Sequence, residues 1–526
     1  ALARGLGVAV PSGPPRPARP PEDILSLPGS EADDLRRLWR CELICQDHNY
    51  GGRHGAQSNW DREVIREHAL AEVDGLVESA LAALAGPGGS GHLVAFNPVS
   101  WPRDEVLWVA DGSPQTLSAL GPDGAPLPAQ PLDGGLAVQV SALPPLGMAT
   151  VRLERGPAAP ARSAGEGSLQ AEIDVTRGVI RRLSDRATGW DWLDPAGERA
   201  LGELLSYQDP GVDVRYNLTG EVESDRAAGY RVIAHEEGPV LSRTLVAGEF
   251  LHSRVEKEFR LYRGLPRLDV TLRLWWWGKR GEHLRLCFPF RREGFHETWY
   301  GVPFYAVRWP EMLHGDGVAD ELILGQAATI PDTLSPEDRL HFREAVGWLD
   351  VGYGDWGCTV GTRSTCWWID GPRLEASLLR TQFSCGDADL WNLNPGFHEW
   401  TFRLEPHQGD WRQGKAYRRG EEMLNPVVTL ETGGDGTAPG PLVVSPDHVL
   451  VTALKPSDFD PHALVLRVLE CEGQAAAVDL RLPFACVRAE RVNLLEEPGE
   501  ALPVEEGRVR FALRPYQFQT ERLHLA

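Results

Sequence analysis

What the chain lacks bounds it first. No apolar run approaches the roughly 20 residues that a bilayer-crossing helix needs, so a membrane is not expected as a partner. There is no Lys/Arg cluster, and 53 basic residues stand against 75 acidic ones for a formal charge of −22. Binding a phosphate backbone needs a basic face, which excludes nucleic acid as a partner. Cysteine is sparse, with eight in 526 residues at 41, 45, 287, 358, 366, 385, 471 and 486. That spread is not the dense framework of a disulfide-stapled secreted domain. A signal-peptide pattern is missing and the first residue is not Met, so the chain reads as a fragment or a processed or trimmed form. Few disulfide signals and no targeting segment make the cytoplasm the expected location.

What remains is globular: 42% of residues are hydrophobic and 24% charged. The length exceeds one core and calls for roughly two to four domains. Residues 1–30 carry prolines at 11, 14, 15, 17, 20, 21 and 28 and read as a linker. A helix is expected over 31–46, with Leu35, Leu38, Trp39 and Leu43 on one face. Gly51 and Gly52 then allow a tight turn. A second helix is expected to be capped by Ser58 or Asn59, with Asp61 and Glu63 in its first turn. Its stripe is Ile65, Ala69, Val73, Leu76, Val77, Ala80 and Leu84, and Gly86–Pro87 stops it. Residues 31–86 therefore form a helical hairpin. Two helices cannot bury both stripes on each other, so a third helix or another domain must cover them.

From His92 onward the hydrophobic period changes from 3.6 to 2. Short alternating runs at 93–96, 106–109, 136–140 and 150–153, parted by Gly-rich turns, predict a small β-sandwich over 87–156. Residues 157–167, rich in Ala, Pro and Gly, link it to a much larger β region over 166–430. Strand follows strand there with no crossover helix, which predicts an antiparallel sandwich. A Gly-rich boundary precedes a terminal β domain over 440–526. The fold class expected is mainly β with a short N-terminal helical segment.

The loop of the hairpin holds Asp47, His48 and Asn49. By itself, a histidine beside a carboxylate at a helix end is a cap or a hydrogen-bonded pair. Cys41, Cys45, His48 and His54 could imitate a zinc cluster, although the cysteines fit equally well as small core residues. A second candidate is the group Asp350, Asp355, Asp387 and Asp389 among Trp348, Trp356, Trp367, Trp368 and Trp391, since indoles beside acids line many sugar sites. With 18 tryptophans in the chain, the plain alternative is that these rings fill sandwich cores. The same holds for Trp275, Trp276 and Trp277, which on one strand alternate faces.

Five stretches in order resemble the part of a glycoside hydrolase family 38 α-mannosidase that follows its catalytic barrel. Trp39, Leu43, Gln46, His48 and Gly51 resemble the family's "W…LL-x-Q-x-H-D…G". Asn97, Pro98, Ser100, Trp101 and Arg103 resemble "NP-x-S/T-W-x-R". Gly396, His398, Trp400, Pro406, His407, Gly409 and Trp411 resemble "G-x-H-x-F…P-H-x-G-x-W", a strand pair in which both histidines are structural. Leu464, Leu466, Arg467 and Glu470 resemble "ILR-x-x-E", and Asn493, Leu494, Leu495 and Glu496 resemble "D/N-L-L-E". The resemblance implies that His48 is one of four ligands of a catalytic Zn²⁺, the other three coming from the barrel. It also implies a mannoside or mannose-containing glycan as substrate, and a retaining mechanism run by two barrel aspartates.

Two departures stand out. Asn49 occupies the place of the family's sugar-holding Asp, and Asp47 precedes the histidine instead; an amide can hydrogen-bond a hydroxyl but brings no charge. Nothing before residue 31 can fold as the barrel, so no catalytic residue is expected in this chain, which would be inactive alone unless another polypeptide supplied the barrel. The substrate-binding candidates are thus Asn49 and Asp47, with His48 as the metal ligand. A non-catalytic carbohydrate-binding or scaffolding protein is the alternative, and a self-contained enzyme with its site in the large sandwich a third.

Overall fold

The computed structural model describes residues 34–46, 55–86, 91–110, 117–155, 164, 167–186, 188–194, 197–210, 218–311, 341–382, 391, 393–432 and 440–526. A helical hairpin leads three antiparallel β-sandwiches, and strands dominate. Among the described residues, no helix is long and apolar enough to cross a membrane.

Helix α1 (Asp34–Cys45) lies against α2 (Gly55–Ala85). The buried side of α1 is Leu38 and Cys41, while Trp39 and Leu43, expected on the buried face, are 67% and 64% exposed. Leu38, Cys41 and Cys45 are spaced i, i+3, i+7, so they, rather than the bulkier pair, set the contact face; the Cys45 thiol reaches the Arg62 carbonyl oxygen at 3.6 Å. Helix α2 starts at Gly55, which places Ser58, Asn59, Asp61 and Glu63 inside the helix rather than at its cap. Residues able to cap are tolerated within a helix when later packing favours continuing it. The helix ends as expected, with Gly86 left-handed at φ 78°. Its last turn packs Leu81 and Ala85 onto Val94 and Met148 of the small sandwich.

The small sandwich has a four-stranded sheet, ordered Val428–Thr432, His92–Asn97, Gly147–Arg155, Leu117–Leu120, over a three-stranded sheet of Arg103–Ala110, Gly135–Leu143 and Ala129–Leu132. Leu93, Leu107, Leu136 and Val138 fill its core. The strand Val428–Thr432 joins this sheet only after the chain has passed through the large sandwich.

In the large sandwich a nine-stranded sheet, with Leu268–Trp276 and Gly396–Gln408 at its centre, faces a six-stranded sheet centred on Glu282–Pro289 and Arg373–Arg380. Between them Phe259, Leu272, Leu286, Phe288, Trp367 and Phe402 are almost fully buried. Each strand alternates: Leu284, Leu286 and Phe288 point inward while His283, Arg285 and Cys287 face the other side. Among the described residues one α-helix interrupts the β pattern, α3 (Ala416–Leu424). Reading the period as 2 from His92 onward missed it, because nine residues carry too short an apolar stripe to register. A Cβ at Gly420 would stand 2.9 Å from the Gly347 carbonyl carbon, so only glycine lets α3 sit this close to the sheet.

The terminal sandwich pairs a four-stranded with a five-stranded sheet, the latter ordered Val449–Pro456, Ala463–Glu470, Phe518–Leu525, Cys486–Val492, Pro498–Leu502. Its core holds Leu464, Leu466, Val468, Leu480, Val509 and Leu523.

Candidate functional site

Asp47, His48 and Asn49 lie outside the described residues, as do Gly51, Gly52 and His54. What is described is the frame that holds their loop. The last turn of α1 closes with the Gln46 amide donating to the Glu42 carbonyl oxygen at 3.1 Å, and the Gln46 side chain donates to the Glu42 carboxylate at 2.7 Å. On the far side of the loop, Glu63 in α2 is held below the usual carboxylate range by its hydrogen bond to Arg66 and, more weakly, by the imidazole of His398. Five large apolar side chains of the hairpin are exposed, Trp39 and Leu43 on α1 and Leu70, Val73 and Val77 on α2. Side chains three and four apart on one helix share a face, so each helix carries one uncovered row.

The other family-like stretches turn out to be structural. The Asn97 side-chain amide donates to the carbonyl oxygens of Trp101, at 2.8 Å, and Pro144, at 3.1 Å. The Ser100 hydroxyl accepts from the Val451 amide of the terminal sandwich at 3.0 Å. The Trp101 indole donates to Glu422 of α3 at 2.8 Å, and Arg103 donates to the Asn425 carbonyl oxygen at 2.9 Å. One short stretch thus clamps three sandwiches together. The residues expected to make a strand pair lie instead on a single strand, Gly396–Gln408, and the turn after it. Continuous alternation through Pro406 allows this, since proline is tolerated in a strand where its missing N–H is not needed. His398 Nε2 donates to the Asn394 carbonyl oxygen at 2.8 Å, and the ring stacks on Trp400. His407 pairs with Asp350 at 2.7 Å. Glu470 caps a turn by accepting from the amides of Glu472, Gly473, Gln474 and Tyr516.

The described members of the acid-and-tryptophan group do not converge on a site. Asp350 is buried and engaged with His407 and the Thr359 hydroxyl. Trp367 is core, Trp348 stacks on Trp411 at 5.4 Å, and the Asp355 carbonyl oxygen accepts from Gly409. Asp387 and Asp389 lie outside the described residues. Trp276 is buried at the end of the strand Leu268–Trp276, and Trp277, past that end, is 78% exposed, so the three tryptophans do not share one strand.

A feature that sequence reasoning missed is a cleft of about 660 Å³ where the small sandwich, the large sandwich and α3 meet. Arg103, Arg363, Ser364, Ser377, Trp400 and Arg403 are among its walls. These residues come from strands and loops far apart in the chain, and the only prior signals were Arg103 and Trp400, each within a family-like stretch.

Among the described residues, no group of three or more His, Cys, Asp or Glu side chains could hold a metal ion. Cys41 is buried in the helix contact and Cys45 bonds to backbone, so the imitation zinc cluster finds no support there. The described residues thus supply no site for the implied Zn²⁺, and its expected ligand His48 lies outside them.

Comparison with known proteins follows the geometry. Residues 448–520, nearly all of the terminal sandwich, match the family model described as the glycosyl hydrolases family 38 C-terminal beta sandwich domain. Over 93% of its length the chain is 25% identical to alpha-mannosidase 2C1 of Mus musculus, and over 92% it is 24% identical to alpha-mannosidase 2C1 of Homo sapiens. It spans 45% of the length of each of these relatives. The fold is similar to that of an alpha-mannosidase from Enterococcus faecalis V583, with a TM-score of 0.70 at 14% identity, covering 94% of this chain and 64% of that one.

Proposed function

We propose, on the premise that this chain is the C-terminal portion of a glycoside hydrolase family 38 protein, that it completes the active site of a retaining α-mannosidase acting on mannose-containing glycans. In this reading His48 supplies one ligand to the metal, Asn49 and Asp47 contact sugar hydroxyls, and the catalytic carboxylates come from a barrel not contained in this chain. The proposed division of labour runs from the helical hairpin at 31–86 through sandwiches at 87–156, 166–430 and 440–526. The hairpin presents the loop, and the sandwiches hold the hairpin in place.

The observation that carries this reading is the set of large apolar side chains left exposed on the hairpin. Trp39, Leu43, Leu70, Val73 and Val77 lie exposed on the two helices that bracket the 47–54 loop. An exposed group of large apolar side chains marks a surface that another body covers. A barrel seated there would put its own ligands next to His48, whereas a stand-alone scaffolding protein gives these rows no purpose.

The test combines this chain with the catalytic barrel, as one polypeptide or as two. Hydrolysis of an aryl α-mannoside is expected only when both are present. His48→Ala is expected to abolish it and to lower bound zinc from about one equivalent toward none, because one lost ligand leaves an open, weak site. Full activity in the His48→Ala protein would overturn the reading.

A further inference from the structure

The cleft between the small sandwich, the large sandwich and α3 has a composition that points to a ligand. Three arginines, Arg103, Arg363 and Arg403, share its walls with three glutamates, Glu105, Glu399 and Glu422. A phosphate or carboxylate would meet as many carboxylates as guanidiniums. Vicinal hydroxyls, each a donor and an acceptor, match such an alternating wall. Half-buried Trp400 and the hydroxyls of Ser364, Thr365, Ser377 and Thr401 complete it. A volume of about 660 Å³ lies within the range of small-molecule sites.

Two observations show hydrogen-bonding capacity left over. Arg403 is only 8% exposed, yet its Nη1 has no hydrogen-bond partner among the described residues, with a Glu105 carboxylate oxygen 3.9 Å away. A buried guanidinium N–H without an acceptor is unfavourable unless water or a ligand supplies one. Ser377 adds a second donor. Behind it, His283 Nδ1 faces Arg285 Nη2 at 3.3 Å, and a guanidinium can only donate, so Nδ1 accepts. The ring hydrogen then sits on Nε2 and is donated to Ser377 Oγ at 2.7 Å. Burial, with Arg285 and Arg380 nearby, keeps the imidazole neutral. An imidazole that donates to the serine cannot act as its base, so the pair is no nucleophile. It leaves the serine hydroxyl hydrogen available to an acceptor in the cleft.

We propose that this cleft binds a saccharide. Trp400 stacks on the ring, Arg403, Arg363 and Ser377 donate to its oxygens, and Glu399 accepts from a hydroxyl. The proposal rests on the glycan-processing reading above and extends it to this chain's own surface.

The test is calorimetric titration of the 526-residue chain with methyl α-mannoside, methyl α-glucoside and inorganic phosphate. Arg363→Ala and Ser364→Trp are compared with wild type, and each melting temperature is recorded; neither residue belongs to the His48 loop. The expected result is millimolar mannoside binding that weakens at least about tenfold in both variants at unchanged melting temperature, the loss that follows a removed charged hydrogen bond or a filled cleft. Binding of the glucoside instead would support the cleft while counting against the mannose reading. Absence of saccharide binding, undiminished binding in both variants, or binding of phosphate alone would overturn the proposal. It would do so even if His48-dependent hydrolysis were found, so the two readings fail separately.

Discussion

At the scale of single residues, two buried titratable groups set how stability depends on pH. Burial pulls the His407 pKa down, but the Asp350 carboxylate and its 2.7 Å hydrogen bond outweigh that and the net direction is up. The site is shaped around the ring: a Cβ at Gly357 would come within 2.4 Å of His407 Cε1, and one at Gly414 within 2.2 Å of Nδ1. A histidine whose folded pKa is raised contributes fully below its unfolded value of about 6.5 and loses that contribution as pH rises through the folded value. His407→Gln is therefore expected to destabilise by about 3 kcal/mol near pH 6, with the difference from wild type shrinking as pH rises, as read by urea denaturation at several pH values. Glu521 works in a different way. It is fully buried, Gln519 donates to one oxygen at 2.9 Å, the other has no partner among the described residues, and burial pushes its pKa up to about 7. Such a carboxyl holds a proton that the unfolded chain has already released, so it lowers stability progressively from about pH 4.5 to 7. Glu521→Gln is expected to remove this slope and to raise stability at pH 8 by up to about 3 kcal/mol. A variant that kept the wild-type slope would rule the assignment out.

At the scale of elements, the helical hairpin shows what was legible in the sequence and what was not. The two helices, the stop at Gly86 and the need for a covering partner all followed from period and punctuation. The buried face of α1 did not, because a stripe rule ranks Trp39 and Leu43 above Cys41, while the close helix contact selects small side chains. Helix α3 and the cleft it lines were not legible either. The cleft is assembled from Arg103, Arg363, Trp400 and Arg403, and no local pattern places them together. His48, Asn49 and Asp47 were found through a resemblance and not through any local rule, and they lie outside the described residues. The hairpin makes a differential prediction. Trp39→Glu and Leu43→Glu sit at exposed positions and are expected to change the stability of this chain by no more than about 0.5 kcal/mol, yet to block association with the barrel in a pull-down. Leu81→Ala, where α2 meets Val94 and Met148, is expected to destabilise the docked helix by about 2 to 4 kcal/mol and to speed its proteolysis. Association that survived the two glutamates would remove the role assigned to these exposed side chains.

At the scale of the whole molecule, the sandwiches are joined by groups that rarely occur buried without partners. Val99 and Trp101 of the small sandwich, Trp348, Trp411 and Tyr417 of the large one and Leu450 of the terminal one share a single apolar cluster. Beside it, Arg267 reaches Glu105 at 2.6 Å and Asp269 at 2.9 Å, and Arg403 reaches Asp269 at 3.1 Å, all from residues less than a tenth exposed. Burial alone would raise the pKa of both acids. Instead the guanidiniums of Arg267 and Arg403 hold Asp269 down to about 2, and with Arg103 they hold Glu105 well below the usual carboxylate range. Acids with depressed folded pKa values add stability above their unfolded values and lose it as pH falls through the folded ones. The contact between small and large sandwiches should therefore be intact at neutral pH and fail in the acid range, from about pH 4 downward. Replacing the central cation tests the coupling directly. Arg267→Met strands two buried carboxylates and is expected to destabilise by about 3 to 5 kcal/mol. Because Glu105 belongs to the small sandwich and Asp269 to the large one, the loss should split a shared calorimetric transition into two, with the small sandwich melting first. A single transition shifted as a whole would mean that the apolar cluster, and not the charge network, couples the sandwiches.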